Sequence, residues 1–530
     1  MRKLLLLQLL LLSLCFTSFA QEEKIDHASL EKIKKEGLQN SQVMDIAFHL
    51  TDGSGARLTN SPGYFRAANY AKDQLSKWGL ENSMLDPWGE FGKGWELQKS
   101  YVAITAPYYK PVIAYPKAWC EGTKKQKTAE VIVLSIKDST ELQNYKGKLS
   151  GKILLLERTD NYKQSFKADA NRYTEQELDS MAMAKPVERQ RDRDTAAIRR
   201  RREQLMGGFR LQQRISILLK DMAKEEGAVA ILSIGNKNHD GTLFTQGGGG
   251  YKGTDPENFL DIMIGIEDYM TIQRLVKSGT PVKLDIDVQT KFYTKDLQGY
   301  NVIAEIPGTD PALKDEVVML GGHLDSWHTA TGATDNAAGC AVMMEAIRII
   351  KTLGLQPKRT IRIALWSGEE EGLLGSRGYV KKTFGDPATM QLTPAHAKFS
   401  SYFNIDNGTG KIRGIYLQGN EGCKNIFTKW FEAFNDSSAH TITISNTGGT
   451  DHQSFDAVGL PAFQFIQDPV EYNERTHHSN MDTYDHLIAD DMKQIATIVA
   501  SFVYNAAQRD EKLPRKELPK PRGNNNGFGF

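Results

Sequence analysis

The chain has 530 residues, of which 40% are hydrophobic and 25% are charged, and its formal net charge is +1. This length gives room for two or three domains with a large core, and the apolar content excludes a chain that is disordered throughout. A net charge so close to zero gives no electrostatic reason to expect a nucleic acid or an anionic membrane as a partner.

The N-terminus has the pattern of a secretory signal peptide. An Arg-Lys pair precedes an apolar run, and the sequence S-F-A then offers the small residues that a signal peptidase recognises. The run is too short for a membrane-spanning helix. We therefore expect residues 1–20 to be removed, and the mature chain to be secreted or periplasmic without membrane insertion. A lipoprotein anchor at Cys15 is less favoured, because Leu14 stands where a small residue would be needed.

Residues 21–110 are predicted to form a helical lead-in. Apolar residues recur at three- and four-residue spacing over 27–50 and again over 64–80, which is the pattern of amphipathic helices. One strand is predicted near the end of this segment, over 101–106.

The next segment, residues 111–294, is predicted to be a β-rich unit, because short β-branched or leucine-rich runs follow one another. A strongly charged stretch, 172–224, interrupts these strands. We interpret it as a solvated, salt-bridged helical insertion rather than a basic binding site. The glycine run 247–250 lacks the strand-to-helix context of a phosphate-binding loop, so we interpret it as a mobile loop.

From residue 295 to 510, predicted strands alternate with predicted helices. This alternation indicates an α/β fold whose sheet is mixed, mostly parallel and covered by helices. The last residues, 511–530, contain several prolines and then a low-complexity end, so we predict a flexible tail.

Metal-ligand residue types follow the predicted strands of this α/β segment. Open α/β sheets build their sites at strand ends, and here five donors fall at such ends or in the loops beside them. They are two histidines and three carboxylates: His323, Asp335, Glu370, Asp406 and His478. Each residue alone has an ordinary structural explanation, such as a helix N-cap or a turn. Folding requirements do not explain the five together, and the set suits two divalent cations such as Zn²⁺.

Two neighbours of these donors have chemistry that a two-metal hydrolase needs. Two cations about 3.5–4 Å apart hold a shared water, lower its pKa and polarise a carbonyl. Glu369 precedes Glu370 and is predicted to be the general base that takes the proton of this bridging water. Asp325 lies two residues after His323 and is predicted to orient its imidazole.

Six motifs carry a resemblance to a known family. In chain order they are G-G-H-L-D-S-W, G-A-T-D-N-A-A-G, W-S-G-E-E-E-G-L-L-G-S, N-I-D-N-G, G-T-D-H-Q-S-F and H-H-S-N-M-D-T. Together they resemble the co-catalytic di-zinc exopeptidases, which include bacterial leucyl aminopeptidases, glutamate carboxypeptidase and the carboxypeptidase Q branch. The resemblance implies the zinc exopeptidase fold with two Zn²⁺ per chain. It implies that His323 and Asp406 hold one zinc, that Glu370 and His478 hold the other, that Asp335 bridges them and that Glu369 is the base.

Two other parts of the chain carry weaker resemblances. L-S-G-K-I-L-L-L-E-R and A-V-A-I-L-S-I, in the β-rich unit, are similar to the protease-associated domain that members of this family often carry as an insertion. The lead-in sequence G-A-R-L-T-N-S-P-G looks like that of the carboxypeptidase Q branch. The charged stretch 172–224 departs from the compact form of the protease-associated domain.

Four further residues are weaker candidates for lining a substrate cleft, because they lie in or beside the same motifs: Asp451, His452, Trp327 and His477. Each could bind a substrate terminus or stabilise an oxyanion.

The expected function is hydrolysis of peptide bonds at the end of short peptides or dipeptides, with aminopeptidase or dipeptidase action preferred. That preference comes from the carboxypeptidase Q branch. Three alternatives stay open: a carboxypeptidase of the same family, a receptor-like module without catalysis, and a single-zinc enzyme that cyclises N-terminal glutamine. Homodimerisation also stays open, and no nucleic-acid partner is expected.

Overall fold

The computed structural model describes residues 23–159, 163–186, 196–235, 237 and 239–521. The predicted signal peptide and residues 522–530 lie outside this part of the chain. Within it, no helix combines the length and the apolar content that crossing a bilayer requires.

The described helices, in chain order, are α1 (His27–Gln39), α2 (Val43–Leu50), α3 (Pro62–Lys77), α4 (Glu175–Ala182), α5 (Ala196–Glu226), α6 (Ile266–Lys277), α7 (Ala338–Thr352), α8 (Leu374–Thr383), α9 (Pro394–Lys398), α10 (Lys424–Phe431), α11 (His452–Asp456) and α12 (Ala489–Gln508). The described strands are β1 (Glu81–Glu90), β2 (Gly94–Ala106), β3 (Lys110–Pro111), β4 (Ala114–Pro116), β5 (Lys127–Leu134), β6 (Ile153–Leu156), β7 (Ala230–Ser233), β8 (Asp261–Ile264), β9 (Lys283–Tyr293), β10 (Gln298–Ile306), β11 (Val317–His323), β12 (Thr360–Trp366), β13 (Gly385–Asp386), β14 (Gln391–Leu392), β15 (Phe399–Asn404), β16 (Ile412–Tyr416), β17 (Thr441–Thr443) and β18 (Ala462–Gln467).

The main sheet has eight strands in the order β1-β10-β12-β11-β15-β18-β16-β17. Its centre is parallel, since β11 pairs in parallel with β12 and β15, and β15 pairs in parallel with β18. Strand β10 joins β12 in antiparallel orientation. Central parallel strands are covered on both faces, which explains why β11 reads as a near-continuous apolar run. The predicted α/β fold with a mixed, helix-covered sheet is confirmed.

Helices α7 and α12 supply much of the core over this sheet. Every residue of α7 from Ala338 to Ile350 is buried, and α12 is buried along most of its length. Together with α1 and α2 they share one apolar cluster with the inner faces of the central strands. This packing fixes the sheet as a rigid support for the loops at its carboxyl edge.

A second eight-stranded sheet, in the order β3-β2-β9-β5-β6-β7-β8-β4, forms a separate unit with its own apolar core. We call residues 94–293 the inserted unit. Strand β2 pairs with β9 along most of its length, so this unit begins at Gly94 and not at residue 111 as predicted. The prediction assigned β2 to the lead-in because local pattern does not show which distant strand a strand pairs with.

The charged stretch 172–224 includes helix α4 and all but the last two residues of helix α5. Arg172, just before α4, donates to the carboxylates of Asp468 and Asp491 on the other unit, at 2.9 and 2.6 Å. The C-terminal part of α5 packs its buried Leu219 and Ala223 on the inserted unit. The stretch therefore contacts the main sheet's unit at its N-terminal end and packs on the sheet of its own inserted unit at its C-terminal end.

The lead-in and the tail differ from their predictions. The predicted helical stretch 27–50 is two helices, α1 and α2, and β1 of the lead-in is an edge strand of the main sheet. The predicted flexible tail is wrong for residues 511–521. Leu513 is buried, and the guanidinium of Arg515 donates to the main-chain oxygens of His396 and Phe399.

The two units are joined by two adjacent crossings of the chain. The first crossing, between β1 and β2, hydrogen-bonds to the second, between β9 and β10: the N–H of Phe91 donates to Leu297 O at 2.8 Å. Both crossings therefore form one narrow, two-stranded connection.

Candidate metal centre and active site

His323 lies where β11 ends, and two carboxylates face its Nε2 atom. Asp406 follows β15, the parallel neighbour of β11, and its Oδ1 is 3.2 Å from His323 Nε2. Asp335 lies in the turn before α7, and its Oδ1 is also 3.2 Å from His323 Nε2. The three side chains are buried, so the two strand ends and the helix entry form one donor group.

A second donor group forms around His478. Its Nε2 lies 2.8 Å from Glu370 Oε2 and 3.2 Å from Asp335 Oδ2. Glu370 follows β12, the other parallel neighbour of β11. Asp335 thus presents one carboxylate oxygen to each histidine, and the five sequence-predicted donors come together as two groups that share Asp335.

His477 also lies near Asp335, but less favourably. Its Nε2 is 4.0 Å from Asp335 Oδ2, and its ring stacks on that of His478 at a centroid distance of 3.7 Å. His478, by contrast, contacts both Asp335 and Glu370. The geometry favours His478 over its neighbour as a metal ligand.

The chemistry of the donor set fits a pair of Zn²⁺ ions. Imidazole nitrogens and carboxylate oxygens are the ligands that zinc takes in catalytic sites. Glu370 Oε1 is buried and makes no hydrogen bond within the described residues, although a buried carboxylate oxygen normally has a partner. A cation bound between the two groups would supply that partner.

The electrostatics of the site favour positive charge at both imidazoles. Burial opposes protonation of His478, but Glu370 and Asp335 outweigh it and raise its pKa to about 10. Burial likewise opposes ionisation of Asp335, yet the two histidines hold its pKa well below the usual range. The carboxylates therefore create a strongly negative field, which also stabilises bound cations.

Glu369 lies at the same site but outside both donor groups. Its Oε2 is 3.9 Å from His323 Nε2, and its side chain is buried. Burial is the main cause that raises its pKa well above the usual value, and the neighbouring carboxylates add to it. A carboxyl group with a raised pKa beside a metal pair is suited to accepting and returning a proton.

Asp325 does not orient His323 in the way predicted. The atom nearest to His323 Nδ1 is the main-chain oxygen of Asp325, at 3.0 Å, whereas its carboxylate Oδ1 is 3.8 Å away. Its Oδ2 instead accepts from the N–H of Glu370 at 3.2 Å and from the hydroxyl of Thr59. The backbone thus contacts the imidazole, and the carboxylate holds the loop that carries Glu369 and Glu370.

The four weaker candidates separate into two kinds. Trp327 and His477 are near the donors: Trp327 lines a cavity of about 10 Å³ together with Asp335, Glu370 and His478. Asp451 is fully buried, and burial raises its pKa to about 7, with Asp406 and Asp325 contributing. His452 contacts Gln418 Nε2 at 2.8 Å and Thr447 O at 3.2 Å, and neither partner is one of the five donors.

Arg57 contributes to the site although no metal-ligand or acid–base pattern surrounds it. Its fully buried guanidinium donates to four main-chain oxygens, those of Leu50, Leu324, Thr331 and Gly332. Two of these acceptors immediately precede the turn that carries Asp335, and a third immediately follows His323. Arg57 therefore holds both ends of the loop between two donors.

Asp482 supports the shared donor from the other side. Its two carboxylate oxygens accept from the main-chain N–H groups of Thr334 and Asp335, at 2.7 and 3.0 Å. The sequence marked Asp482 only as part of the D-T pair that helped to choose His478. Its spacing from Asp335, 147 residues, gives no local signal of this contact.

Thr59 and Glu371 form a third support. The Thr59 hydroxyl lies 2.9 Å from Glu371 Oε2 and 3.2 Å from Asp325 Oδ2, and it accepts from the N–H of Gly368. Glu371 adjoins two predicted site residues, Glu369 and Glu370, but no sequence signal marked it as a third.

The inserted unit also reaches the site. The N–H of Thr245 donates to the main-chain oxygen of His478 at 3.0 Å, and the side chain of Gln246 lies 3.1 Å from His478 Nδ1. The inserted unit therefore contacts the loop that carries the donor His478 directly.

Comparison with known sequences matches the segment that carries the five donors. Residues 301–503 match peptidase family M28. Carboxypeptidase Q of Mus musculus is 31% identical over 253 residues, which are 48% of this chain and 51% of that protein. The chain thus spans about half the length of the curated relatives it matches.

Solved structures are similar over most of the chain. A peptidase M28 precursor from Shewanella amazonensis has a TM-score of 0.64 and 23% identity, covering 93% of this chain and 98% of the other. A zinc aminopeptidase from Bacillus subtilis has a TM-score of 0.55 and 18% identity, covering 89% and 96%. At these identities the likeness shows a shared fold. Motifs, fold and family match agree that residues 301–503 are similar to peptidase family M28.

Proposed function

We propose that the chain is a zinc-dependent exopeptidase that removes residues from the end of short peptides or dipeptides. The observation that carries this proposal is the Asp335 carboxylate, whose two oxygens lie 3.2 Å from His323 Nε2 and 3.2 Å from His478 Nε2. In this proposal His323 and Asp406 hold one Zn²⁺, Glu370 and His478 hold the other, and Asp335 is shared.

Each group at the site has a distinct part in hydrolysis. When two Zn²⁺ ions are bound, they supply the Lewis acidity that acidifies a bridging water and polarises the scissile carbonyl. Glu369 takes the proton of the attacking water and returns it to the leaving amine, so that it acts first as a base and then as an acid. Asp325 keeps Glu370 and Glu369 in place through the N–H of Glu370.

The amino end of the substrate is the preferred end in this proposal. Glu369, Glu371 and Asp451 add three carboxyl groups to a site already rich in donor carboxylates. Their oxygens accept hydrogen bonds from a substrate ammonium, whereas the donor carboxylates repel a substrate carboxylate. The similar structure from Bacillus subtilis is named an aminopeptidase, whereas the relative from Mus musculus is named a carboxypeptidase. A carboxypeptidase is therefore the second candidate. We further propose that the chain is exported through its N-terminal signal peptide.

Two measurements test the proposal. Zinc content after mild purification should approach two ions per chain, and fewer than about one would contradict a two-metal enzyme and favour a module without catalysis. An N-blocked dipeptide and a C-amidated dipeptide separate the two ends: we expect cleavage of the amidated substrate and not of the blocked one. The opposite result would favour the carboxypeptidase.

The neighbouring glutamates give a sharper test of the assigned roles. Glu369→Gln should keep both zinc ions and lose activity by several orders of magnitude, because the amide cannot accept the proton. Glu370→Gln should lower the affinity for one zinc ion, because it removes a charged ligand. Equal loss of zinc in both variants would show that the roles are wrongly divided.

A further inference from the structure

We infer that Gln246 of the inserted unit positions the His478 imidazole, so that this unit completes the binding site of one of the two zinc ions. The inference rests on the proposed function, because it assigns Gln246 a role toward that metal pair. Gln246 acts through His478 and does not itself touch the metal or the substrate in this assignment, so it is a positioning residue.

The contact is part of a longer interface between the units. We call residues 241–248 the strap. The strap lies along the loop that carries His478: Leu243 N–H donates to Asn480 Oδ1 at 2.6 Å, and Asn480 N–H donates back to Leu243 O at 3.3 Å. Thr245 N–H then donates to His478 O. These reciprocal bonds fix the register of the strap, so that Gln246 arrives beside the imidazole.

His478 needs such support because its backbone is strained. Its φ is +57°, in the left-handed region that residues with a side chain rarely adopt. A residue keeps this conformation only when its surroundings hold it there. The bond from Thr245 fixes the carbonyl of His478, and the bond from Gln246 fixes its ring, so both come from the inserted unit.

The tautomer of His478 gives the Gln246 contact its chemical meaning. His478 Nε2 faces Glu370 and Asp335, so Nε2 must be unprotonated when it ligates a cation and Nδ1 must then carry the proton. The Nδ1–H group needs an acceptor, and the amide group of Gln246 lies beside it, with its nitrogen Nε2 3.1 Å away. A half-turn of the amide presents its oxygen to this proton, because amide oxygen and nitrogen are interchangeable in shape. A neutral acceptor sets the tautomer without adding charge to the site.

The strap is supported from behind by the rest of the inserted unit. Lys220 of α5 donates to Gly248 O at 2.6 Å, and Gly248 N–H donates to Ala118 O at 2.9 Å. A Cβ added at Gly248 would lie 2.4 Å from Cys120 Sγ, so glycine is required for this close approach. Gly248 thus lets the strap pack closely against the rest of the inserted unit, and the hydrogen bond from Lys220 of α5 holds it in this position.

The test measures zinc affinity rather than activity alone. Gln246→Leu removes the hydrogen bond at similar volume, Gln246→Glu keeps an acceptor for Nδ1–H, and Gln143→Leu changes an exposed glutamine elsewhere in the inserted unit. Zinc dissociation constants of the full chain are measured by competition with a chromophoric chelator. We expect Gln246→Leu to weaken one of the two ions, the ion weakened in Glu370→Gln, by about 10–100-fold. Gln246→Glu should bind at least as tightly as the unchanged chain, and Gln143→Leu should match it.

Two results would overturn the inference, and they are distinguishable from failure of the proposed function. Equal zinc affinity in Gln246→Leu and Gln143→Leu would remove the positioning role while leaving a two-zinc enzyme intact. Weakening in Gln246→Glu as large as in Gln246→Leu would show that the acceptor is not what matters. An unchanged chain that binds less than about one zinc would overturn the inference together with the proposed function. Thermal unfolding of the metal-free variants shows whether the fold is retained.

Discussion

Replacement of Arg57 by methionine should destabilise the protein more than any exposed arginine-to-methionine change. Arg57→Met keeps an apolar stem of similar length but removes the guanidinium that donates to Leu50 O at 3.0 Å, Leu324 O at 2.6 Å, Gly332 O at 2.8 Å and Thr331 O. All four acceptors belong to the lead-in or to the loop between His323 and Asp335.

The size of the effect follows from the acceptors that lose their donor. Gly332 O still accepts from the N–H of Ala337 at 3.0 Å, so the loss of a hydrogen-bond donor destabilises the protein through the other three carbonyls. A buried polar group left without a partner costs about 1–3 kcal/mol, which gives roughly 3–9 kcal/mol in all. Removing a fully buried charge recovers several kcal/mol of desolvation. The net loss should therefore be about 3 kcal/mol of unfolding free energy. Arg57→Lys should not restore it, because a compact ammonium cannot reach carbonyls arranged around a planar fork.

The assay is urea unfolding in the presence of a chelator, so that zinc binding does not contribute to the measured free energy. The matched control is Arg210→Met, at an exposed position on α5. An unfolding free energy for Arg57→Met within about 0.5 kcal/mol of Arg210→Met would refute this reasoning, given that a single neutral hydrogen bond contributes about 1 kcal/mol.

Three further predictions concern a buried histidine, the carboxylate that supports Asp335 and two glycines of the inserted unit. His328 is buried, and burial lowers its pKa to about 4. As the pH falls from about 6.5 to 4, the unfolded chain protonates this histidine before the folded chain does. The free energy of unfolding should therefore fall by up to about 3 kcal/mol over that window. His328→Gln should flatten this part of the stability–pH curve of the metal-free chain. An unchanged curve would show that the lowered pKa of His328 does not cause this pH dependence. Asp482→Asn keeps one acceptor for the N–H groups of Thr334 and Asp335 and should weaken zinc binding roughly tenfold. Unchanged zinc affinity in a chelator competition would exclude this support. Gly208→Ala, in open space on α5, should raise the unfolding free energy by about 0.5–1 kcal/mol, and Gly248→Ala should lower it by about 1–3 kcal/mol; equal effects would contradict the close packing of the strap.

The sequence was most informative where chemistry and secondary structure coincide. His323 and Glu370 follow apolar runs that are adjacent parallel strands, with His323 in register with Trp366. Parallel strands end at the same edge of a sheet, so residues that follow such runs come close together without any knowledge of the loops. This is why five dispersed donors could be grouped before their positions were known.

The residues that support those donors could not be found in the same way. Arg57 is separated from its acceptor Leu324 by 267 residues, and Gln246 is separated from His478 by 232. Neither residue type has a pattern that distinguishes a buried support from an ordinary surface side chain. Asp325 shows the limit at short range: its spacing from His323 was informative, but only coordinates show that the backbone oxygen, and not the carboxylate, is nearest to the imidazole.

The pairing of β2 with β9 and the packing of the tail could not be predicted from the sequence for a related reason. The alternation in β2 indicates a half-buried strand but not its partner, and β2 pairs with β9 almost two hundred residues later in the chain. Composition indicated a loose tail after residue 511, yet Arg515 and Leu513 are held by groups from α9, β15 and their surroundings. Both outcomes depend on tertiary contacts that override local preference.

The side-by-side crossings between the two units make the inserted unit a removable cassette. Glu90 and Gln298 are already partners in the β1–β10 ladder, so joining Phe91 to Leu297 by a short turn would make β1 and β10 one hairpin. Gain or loss of the whole unit therefore requires no rearrangement of the main sheet. In a chain shortened in this way, the consequence would fall on how tightly zinc is retained at His478, and not on whether the main sheet folds.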